Sequence, residues 1–382
     1  MRDDPVPQAA PSWRIARYRD EIDRTINDVL SSDRYVLGPR VEAFETEFAD
    51  HLGLRHVVGV GSGTAALTLT LRAFGISDGH EVVTTPISAA GTAQSIRLAG
   101  ARPVFADIEP ESGNLDPAAV EDALTARTAA IVPVHLYGNP SRIRELREIA
   151  DRRGVFLIED CAQAHGTTVC GQMVGGFGHA AIFSFYPTKN LGCVGDGGAV
   201  ATNDPALAEQ VRRLRHYGWA SDDRISETIG DNSRLDEIQA AILSVMLRHL
   251  ADGNRERRAA ATRYREAFRD LGSIALPPDN PGATYHQFVL RSPHRDALRL
   301  HLSAAHGVRT EIHYAPPLHL QPAFADACCG AEATKPGPAL PLAEAFSSSV
   351  MSLPIQPEIV ARYQDRIVAA VADGLTVLEP FA

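Results

Sequence analysis

Lysine is almost missing from this chain. Of its 37 basic residues only Lys189 and Lys335 are lysines, and the other 35 are arginines. Arginine stays protonated and cannot form a Schiff base, so chemistry of that kind has two candidate positions. The 37 basic residues face 47 acidic ones, a net charge of −10. That balance argues against sequence-independent nucleic-acid binding, which depends on neutralising phosphates, and against adhesion to anionic membranes. An acidic substrate has to meet a local cluster of arginines. Cysteine is sparse too: Cys161, Cys170, Cys193, Cys328 and Cys329 form an odd, scattered set without zinc-knuckle spacing. They read as reduced thiols, and nothing near the vicinal pair Cys328 and Cys329 marks it as redox-active. No run approaches the ~20 apolar residues of a transmembrane helix. The stretch from Met1 to Pro11 is polar and Pro-rich, without the apolar centre of a signal peptide. Together these absences predict a cytoplasmic protein.

What is present is the composition of an ordinary globular chain, 45% apolar and 22% charged over 382 residues. That length suits two domains, or one large α/β unit with a smaller cap, and buries a core without disulfide or metal staples. Short β-branched or aromatic runs bounded by Gly, Pro or Asp predict strands at His56–Val60, Glu81–Thr84, Pro103–Ala106, Ala130–His135, Val155–Glu159 and Ala181–Tyr186. Helix-like stretches lie between them, among them Thr64–Phe74, Ala118–Leu124 and Ile143–Asp151. Alternation of this kind predicts an α/β fold, a mostly parallel central sheet with helices on both faces. Ligands of such sheets sit at the carboxyl ends of the strands. An amphipathic stretch from Leu235 to Phe268 predicts one or two long helices leaving this first domain. After Pro277 and Pro278 a smaller α+β unit is expected: a strand near Gln287–Arg291, a helix from Asp296, a strand near Arg309–His313, a loop from Lys335 to Pro341 and a final helix from Pro357. The expected division is a large domain over 1–250 and a small one over 251–382.

Four segments fall at predicted strand ends or helix starts. Gly61-Ser62-Gly63-Thr64-Ala65-Ala66-Leu67 is a turn opening a helix, either an anion cradle of free backbone N–H groups or a plain N-cap. It lacks Gly-Lys-Thr/Ser and Gly-x-Gly-x-x-Gly, so neither a P-loop nor a Rossmann fingerprint is present. Glu159-Asp160, ending an apolar strand, places at least one carboxylate at the ligand crevice, where it is desolvated unless a cation pairs with it or a helix N-terminus uses it. Lys189 lies just past a strand in a Gly-rich turn, where burial lowers an amine's pKa as a Schiff-base lysine requires. Asn232-Ser233-Arg234-Leu235-Asp236 opens the long helix and offers either an anion contact or a cap. A phosphate cradle, a carboxylate for a protonated ring nitrogen, a Schiff-base lysine and a further anion contact are together what pyridoxal 5′-phosphate (PLP) requires of a protein.

At this point the chain resembles the DegT/DnrJ/StrS family of PLP-dependent sugar aminotransferases, which have the fold-type I aminotransferase fold. The likeness spans nearly the whole length. It runs from Tyr35-Val36-Leu37-Gly38-Pro39 through Ser62 to Leu67, Pro133 to Gly138, Glu159 to Gly166, the Lys189 segment and Asn232 to Asp236, ending with His313 to His319 and Leu353-Pro354. The resemblance implies that Lys189 carries the cofactor, that Asp160 pairs with the pyridine nitrogen and that Gln163 contacts the 3-hydroxyl. It further implies that Gly63, Thr64 and Ser184 hold the phosphate. Asn232 would reach the other subunit's cofactor, which makes a homodimer with shared active sites. The partners it implies are an amino-acid donor, L-glutamate or L-glutamine, and a keto-sugar acceptor, nucleotide-linked. Tyr35, Ala89, Arg234, Tyr314 and His319 are the substrate-side candidates.

Two departures stand out. The family usually carries an aromatic residue that stacks on the cofactor ring, but here the matching position is Ala89 and no aromatic lies between Pro86 and Thr92. Asp33 stands where a glycine is common. The lysine is present, unlike in the sugar-dehydratase branch, where a histidine replaces it. His313 and His319 have no third ligand at suitable spacing, so no metal is expected. A keto-cyclitol or other non-nucleotide ketone is the alternative acceptor, toward which the missing aromatic leans. A PLP-binding regulatory protein without turnover is the alternative from another class. Intact Lys189, Asp160 and Gln163 argue against it, because a mere binder needs no general base.

Overall fold

Eleven short strands carry the alternation seen in the sequence: β1 (His56–Val60), β2 (Glu81–Thr84), β3 (Arg102–Phe105), β4 (Thr128–Val132), β5 (Phe156–Asp160), the small hairpin of β6 (Thr168–Val169) and β7 (Gln172–Met173), β8 (Ala180–Ser184), β9 (Gly198–Thr202), β10 (Phe288–Arg291) and β11 (Val350–Leu353). They are seen in a computed structural model, which describes residues 4–221, 223–324 and 339–378. Lys335, the Cys328 and Cys329 pair and most of the expected loop from Lys335 to Pro341 lie outside the described residues. Seven strands form one sheet in the order β1-β9-β8-β5-β4-β2-β3. Strands β3, β2, β4, β5 and β8 pair in parallel, and β9 runs antiparallel to both its neighbours. The sheet is therefore mostly parallel, as expected, with one reversed strand that the sequence reading did not include.

Successive side chains of a strand point to opposite faces, so each strand feeds two cores. Val58, Ile158, Ile182 and Val200 turn to one face with Leu67 and Leu69 of the helix Gly63–Ala73. Ala181, Phe183, Ala199 and Ala201 turn to the other, against Phe44 and Phe48 of the helix Pro39–Leu52. With both faces covered, every residue of β2 and β9 is buried.

The stretch after Leu235 is one helix, Glu237–Phe268, 32 residues long, or about 48 Å at ~1.5 Å per residue. Its N-cap is Asp236, whose side chain accepts a hydrogen bond from the Gln239 N–H at 2.9 Å. The first half contributes Ile242, Leu243 and Leu250 to the core under the sheet. The second half contributes Ala261, Tyr264 and Phe268 to a separate core with Phe288, Leu302, Leu353 and Ile367, into which Val6 and Ala10 also pack.

The strand expected near Arg309–His313 is not formed. Strand β10 pairs antiparallel with β11 instead, Phe288 opposite Leu353. Residues 309–313 have the β-branched look of a strand, but among the described residues there are only two isolated bridges around them, Val6 with Val308 and Glu311 with Ser352. The helices that follow, Arg295–His306 and Pro357–Leu378, agree with expectation.

Strand β9 lies tight against the turn that opens the helix Gly63–Ala73. A Cβ at Gly198 would fall 2.4 Å from the carbonyl carbon and oxygen of Ser62. Gly198→Ala is expected to destabilise by about 1–3 kcal/mol, because the clash is with backbone and cannot relax by a rotamer change. Gly253, inside the long helix with nothing within 4 Å of its would-be Cβ, should instead gain about 0.5–1 kcal/mol on Gly253→Ala. Urea unfolding of both variants checks this, and a Gly198→Ala protein as stable as the parent would show that the contact is not tight.

Candidate active site

The carboxyl ends of β1, β2, β4, β5 and β8 converge on a cavity of about 370 Å³, lined among others by Gly63, Thr64, Ala89, Thr92, Asp160, Gln163, Ser184, Lys189, His313 and Tyr314. On the β1 side, Ser62 caps the helix Gly63–Ala73, its Oγ accepting from the Ala65 N–H at 3.1 Å. The first intrahelical bond runs from the Ala66 N–H to the Ser62 carbonyl, so the amides of Gly63 and Thr64 precede the helical ladder. A Cβ on Gly63 would lie 2.8 Å from Ser184 Cβ. Only glycine lets the helix start approach the end of β8 this closely, leaving a cradle that a side chain would fill.

The acid pair divides its labour by strand alternation. Glu159 turns away from the cavity. It accepts from the N–H groups of Gly175, Phe177 and Gly178 at 2.7–2.8 Å and sits 3.1 Å from His135 Nε2. Asp160, the last residue of β5, lines the cavity. Its Oδ2 accepts from Thr92 Oγ1 at 3.0 Å and its Oδ1 from the Ala162 N–H at 3.1 Å. Burial still pushes its pKa above the ordinary carboxylate value, against those two hydrogen bonds and the charge of Lys189. The carboxylate is thus 4% exposed and has no cation in ion-pair contact among the described residues. Such a group favours a protonated partner.

Lys189 opens onto the same cavity, and the protein atoms crowded around it lower its amine to about 8, with only Asp160 opposing. Its backbone is held from the N-terminal helix Pro11–Arg17. The Arg14 guanidinium donates to the carbonyls of Lys189 (2.6 Å), Asn190 (3.1 Å), Pro187 (2.8 Å) and Gly192 (3.2 Å). Gln163 is fixed at both ends: its Oε1 accepts from the Tyr137 N–H at 2.9 Å and its Nε2 donates to Tyr314 Oη at 3.0 Å. Burial raises the Tyr314 hydroxyl to about 12, so it is protonated at neutral pH.

Eight of the twelve residues singled out from the sequence therefore meet in one cavity: Gly63, Thr64, Ala89, Asp160, Gln163, Ser184, Lys189 and Tyr314. Within a single chain the other four do not. Asn232 and Arg234 line a neighbouring cleft of about 710 Å³ that shares Ser62, Thr64 and Asp196 with the cavity. The Arg234 guanidinium lies over the Tyr217 ring and meets His216 Nδ1 at 3.1 Å. Tyr35 is 49% exposed, its hydroxyl donating to the Leu30 carbonyl at 3.3 Å. His319 is buried beside Phe105, with Nε2 3.2 Å from Glu344 Oε1, and does not line the cavity. Sequence reasoning missed Arg14 and Thr92, whose roles arise from contacts between distant segments. A hydroxyl three residues after Ala89, on the same helical start, is the one hint that pointed to Thr92.

The residue pattern matches the model of the DegT/DnrJ/EryC1/StrS aminotransferase family over residues 17–372. The chain belongs to this family. The erythromycin biosynthesis sensory transduction protein EryC1 of Saccharopolyspora erythraea is 47% identical over 358 residues, 93% of this chain and 96% of that protein. The dTDP-3-amino-3,4,6-trideoxy-alpha-D-glucose transaminase of Streptomyces venezuelae is 46% identical over 358 residues, 93% and 92% of the two chains. The crystal structure of S. venezuelae DesV in complex with a ketimine intermediate superposes with a TM-score of 0.92 at 44% identity, covering 97% of this chain and 98% of that one.

The protein is accordingly a PLP-dependent aminotransferase of α/β fold. Its own residues fit the cofactor: an amine lowered to about 8, a buried carboxylate without a cation and a glycine cradle at a helix start. Among the described residues no helix is long and apolar enough to cross a membrane.

The amine of Lys189 attacks only when neutral, the form present above its folded pKa. The rate at which apo-protein captures PLP, followed by absorbance, is expected to rise with pH and level off above about 8. A rise that continued toward 10.5, as for an ordinary lysine, would show that the cavity does not shift the amine. Loss of the Arg14 clasp by Arg14→Ala should slow capture by about tenfold or more, since small displacements of a reacting group are costly, while the far-UV circular dichroism stays unchanged. Equal capture rates would remove Arg14 from the site.

Proposed function

We propose that this aminotransferase moves an amino group from L-glutamate or L-glutamine to a keto-sugar, carried on a nucleoside diphosphate, for aminosugar or secondary-metabolite biosynthesis. The observation that carries the reading is the meeting of Lys189, Asp160 and the Gly63 cradle in one cavity of a chain with transaminase relatives. PLP, when bound, supplies the electron sink that such a transfer needs. Asp160 holds the proton on the pyridine nitrogen, Gln163 contacts the 3-hydroxyl, and Gly63, Thr64 and Ser184 bind the phosphate. Lys189 would hold the cofactor through its amine and, once freed by the donor's amine, would take the α-proton from the donor and pass it on to a different carbon, so that the donor leaves as its keto acid.

The active unit is a cytoplasmic homodimer, with Asn232 completing the phosphate site of the partner protomer. Tyr35 and Arg234 then act on the acceptor from outside the single-chain cavity, while Tyr314 acts from within it; His319, buried against Phe105 and Glu344, supports the site without meeting the acceptor. Ala89 leaves that wall open for the acceptor. A purely regulatory role, which the name of EryC1 suggests for that relative, gives no reason to hold an amine at about 8 in one cavity with a buried carboxylate.

The purified protein loaded with PLP should show a visible band that L-glutamate or L-glutamine bleaches, and Lys189→Ala should abolish amine transfer by several orders of magnitude. A band that no amino acid changes would overturn the donor assignment. Amine transfer that survives Lys189→Ala would overturn the mechanism.

A further inference from the structure

Away from the Lys189 cavity, the helices Arg295–His306 and Pro357–Leu378 bring His301, His306 and Asp373 together. His301 Nε2 and His306 Nε2 each lie 2.8 Å from the same atom, Asp373 Oδ2. One ligand-capable atom from each residue falls within 4.8 Å of the other two. The two imidazole rings stand 5.4 Å apart and are inclined at 52°. The histidine side chains are mostly covered and that of Asp373 is half exposed, so the cluster opens to solvent on one side. Its two contacts hold the Asp373 carboxyl below the ordinary carboxylate range. None of the three lines the Lys189 cavity, and none belongs to the His313 and His319 pair weighed from the sequence.

Packing, not sequence spacing, makes this cluster. Residues five apart on a helix point about 140° away from each other, so His301 and His306 form no pattern by themselves. Leu298 and Leu302 share a core with Ile367, Ala370 and Val371, which fixes the two helices side by side. A Cβ at Gly374 would lie 3.2 Å from His301 Cδ2, so the bare backbone there lets the imidazole lie close against the second helix, next to Asp373. His306 is the last residue of its helix, followed by Gly307 at φ +62°. Its carbonyl accepts from Arg366 of the second helix, through Nε at 3.0 Å and through Nη2. Arg366 Nη1 also donates to the Asp4 carbonyl at 3.0 Å, and the Val6 N–H donates to the Gly307 carbonyl at 2.9 Å. The cluster thus stands where both helices and the N-terminal segment are joined.

Two imidazole nitrogens and one carboxylate oxygen are donors that suit zinc and its neighbours among the transition metals, whereas Ca²⁺ and Mg²⁺ take oxygen ligands. Zinc binds such atoms at ~2.0–2.2 Å, which at tetrahedral angles sets them about 3.3 Å from one another. The present 2.8 Å contacts would have to open by only about half an ångström, a small side-chain adjustment. We propose that His301, His306 and Asp373 bind a divalent transition-metal ion, Zn²⁺, which ties the helix Arg295–His306 to the helix Pro357–Leu378, solvent filling the remaining position. The ion takes the place of the two imidazole–carboxylate contacts and acts on the stability of this helix pair, not on the chemistry at Lys189.

The test titrates Zn²⁺ into PLP-loaded protein, first stripped of metal with a chelator, by isothermal titration calorimetry. One equivalent should bind with a Kd of about 10 μM or tighter, three protein ligands being one short of a closed zinc site. His301→Ala and Asp373→Asn should each weaken that binding about a hundredfold, at or beyond the upper end of the ~10–100-fold that outer-shell partners of a metal contribute. Far-UV circular dichroism and the amount of bound cofactor should stay unchanged in both variants, and Asp373→Asn keeps the shape of the side chain. Saturating Zn²⁺ should raise the Tm of the parent by mass action and leave that of His301→Ala where it was. A parent protein that takes up no zinc in this range overturns the proposal. Zinc bound alike by the parent and both variants overturns it as well, because the ion then sits on other groups, such as the exposed Cys170. Binding that both variants lose, with no rise in the parent's Tm, sustains the metal site and overturns its role as a tie between the helices.

Discussion

The structure depends on keeping an amine and a carboxylate in one space where neither is fully solvated. Lys189 is lowered and Asp160 is raised, both chiefly by burial, so each waits for a group that stabilises its reactive form. The sheet makes this arrangement affordable. Parallel strands end together at one edge, so residues 160, 184 and 189 reach the same cavity from strands and turns whose other faces are fully packed. Removal of Glu159 from the cavity is part of the same logic. Its three backbone donors and His135 absorb a charge that would otherwise repel Asp160.

Around that pair the supports are layered. Thr92 holds the carboxylate, Gln163 and Tyr314 hold each other, and Arg14 holds the backbone of the lysine turn. The long helix Glu237–Phe268 runs through both cores, so the wall carrying His286 and Tyr314 keeps a fixed relation to the strand ends. Preorganisation of this kind is what transfer chemistry asks of a protein that leaves the electronics to its cofactor.

Much of this was legible in the sequence, for identifiable reasons. Lys189 stood out because the chain has only one other lysine, and Asp160 because it ends an apolar run. Strand β9, Gly-Ala-Val-Ala-Thr, was overlooked because two alanines and a glycine carry little β signal, and burial on both faces, not propensity, makes it a strand. Residues 309–313 misled in the opposite sense: Val308, Thr310 and Ile312 have the right side chains, but the edge of β11 offers them one bridge. Arg14 could not be told from 34 other arginines, since what distinguishes it is which carbonyls it meets. Asn232 and Arg234 lie in a cleft of their own, which on the homodimer proposal a second protomer completes, whereas His319 is buried against Phe105 and Glu344 of its own chain.

The clasp on the lysine turn also has a timetable. Arg14 sits in a segment whose neighbours are made very late: the Ala10 N–H and carbonyl pair with the Gln356 side chain at 2.8 and 2.7 Å, and Val6 bridges Val308. A ribosome making ~5–20 residues per second delivers the first of these partners many seconds before the last. The N-terminal segment can take its place only after almost the entire chain has emerged. The turn bearing Lys189 is therefore among the last parts to be secured, and a nascent chain with a well-formed sheet still lacks a finished catalytic centre.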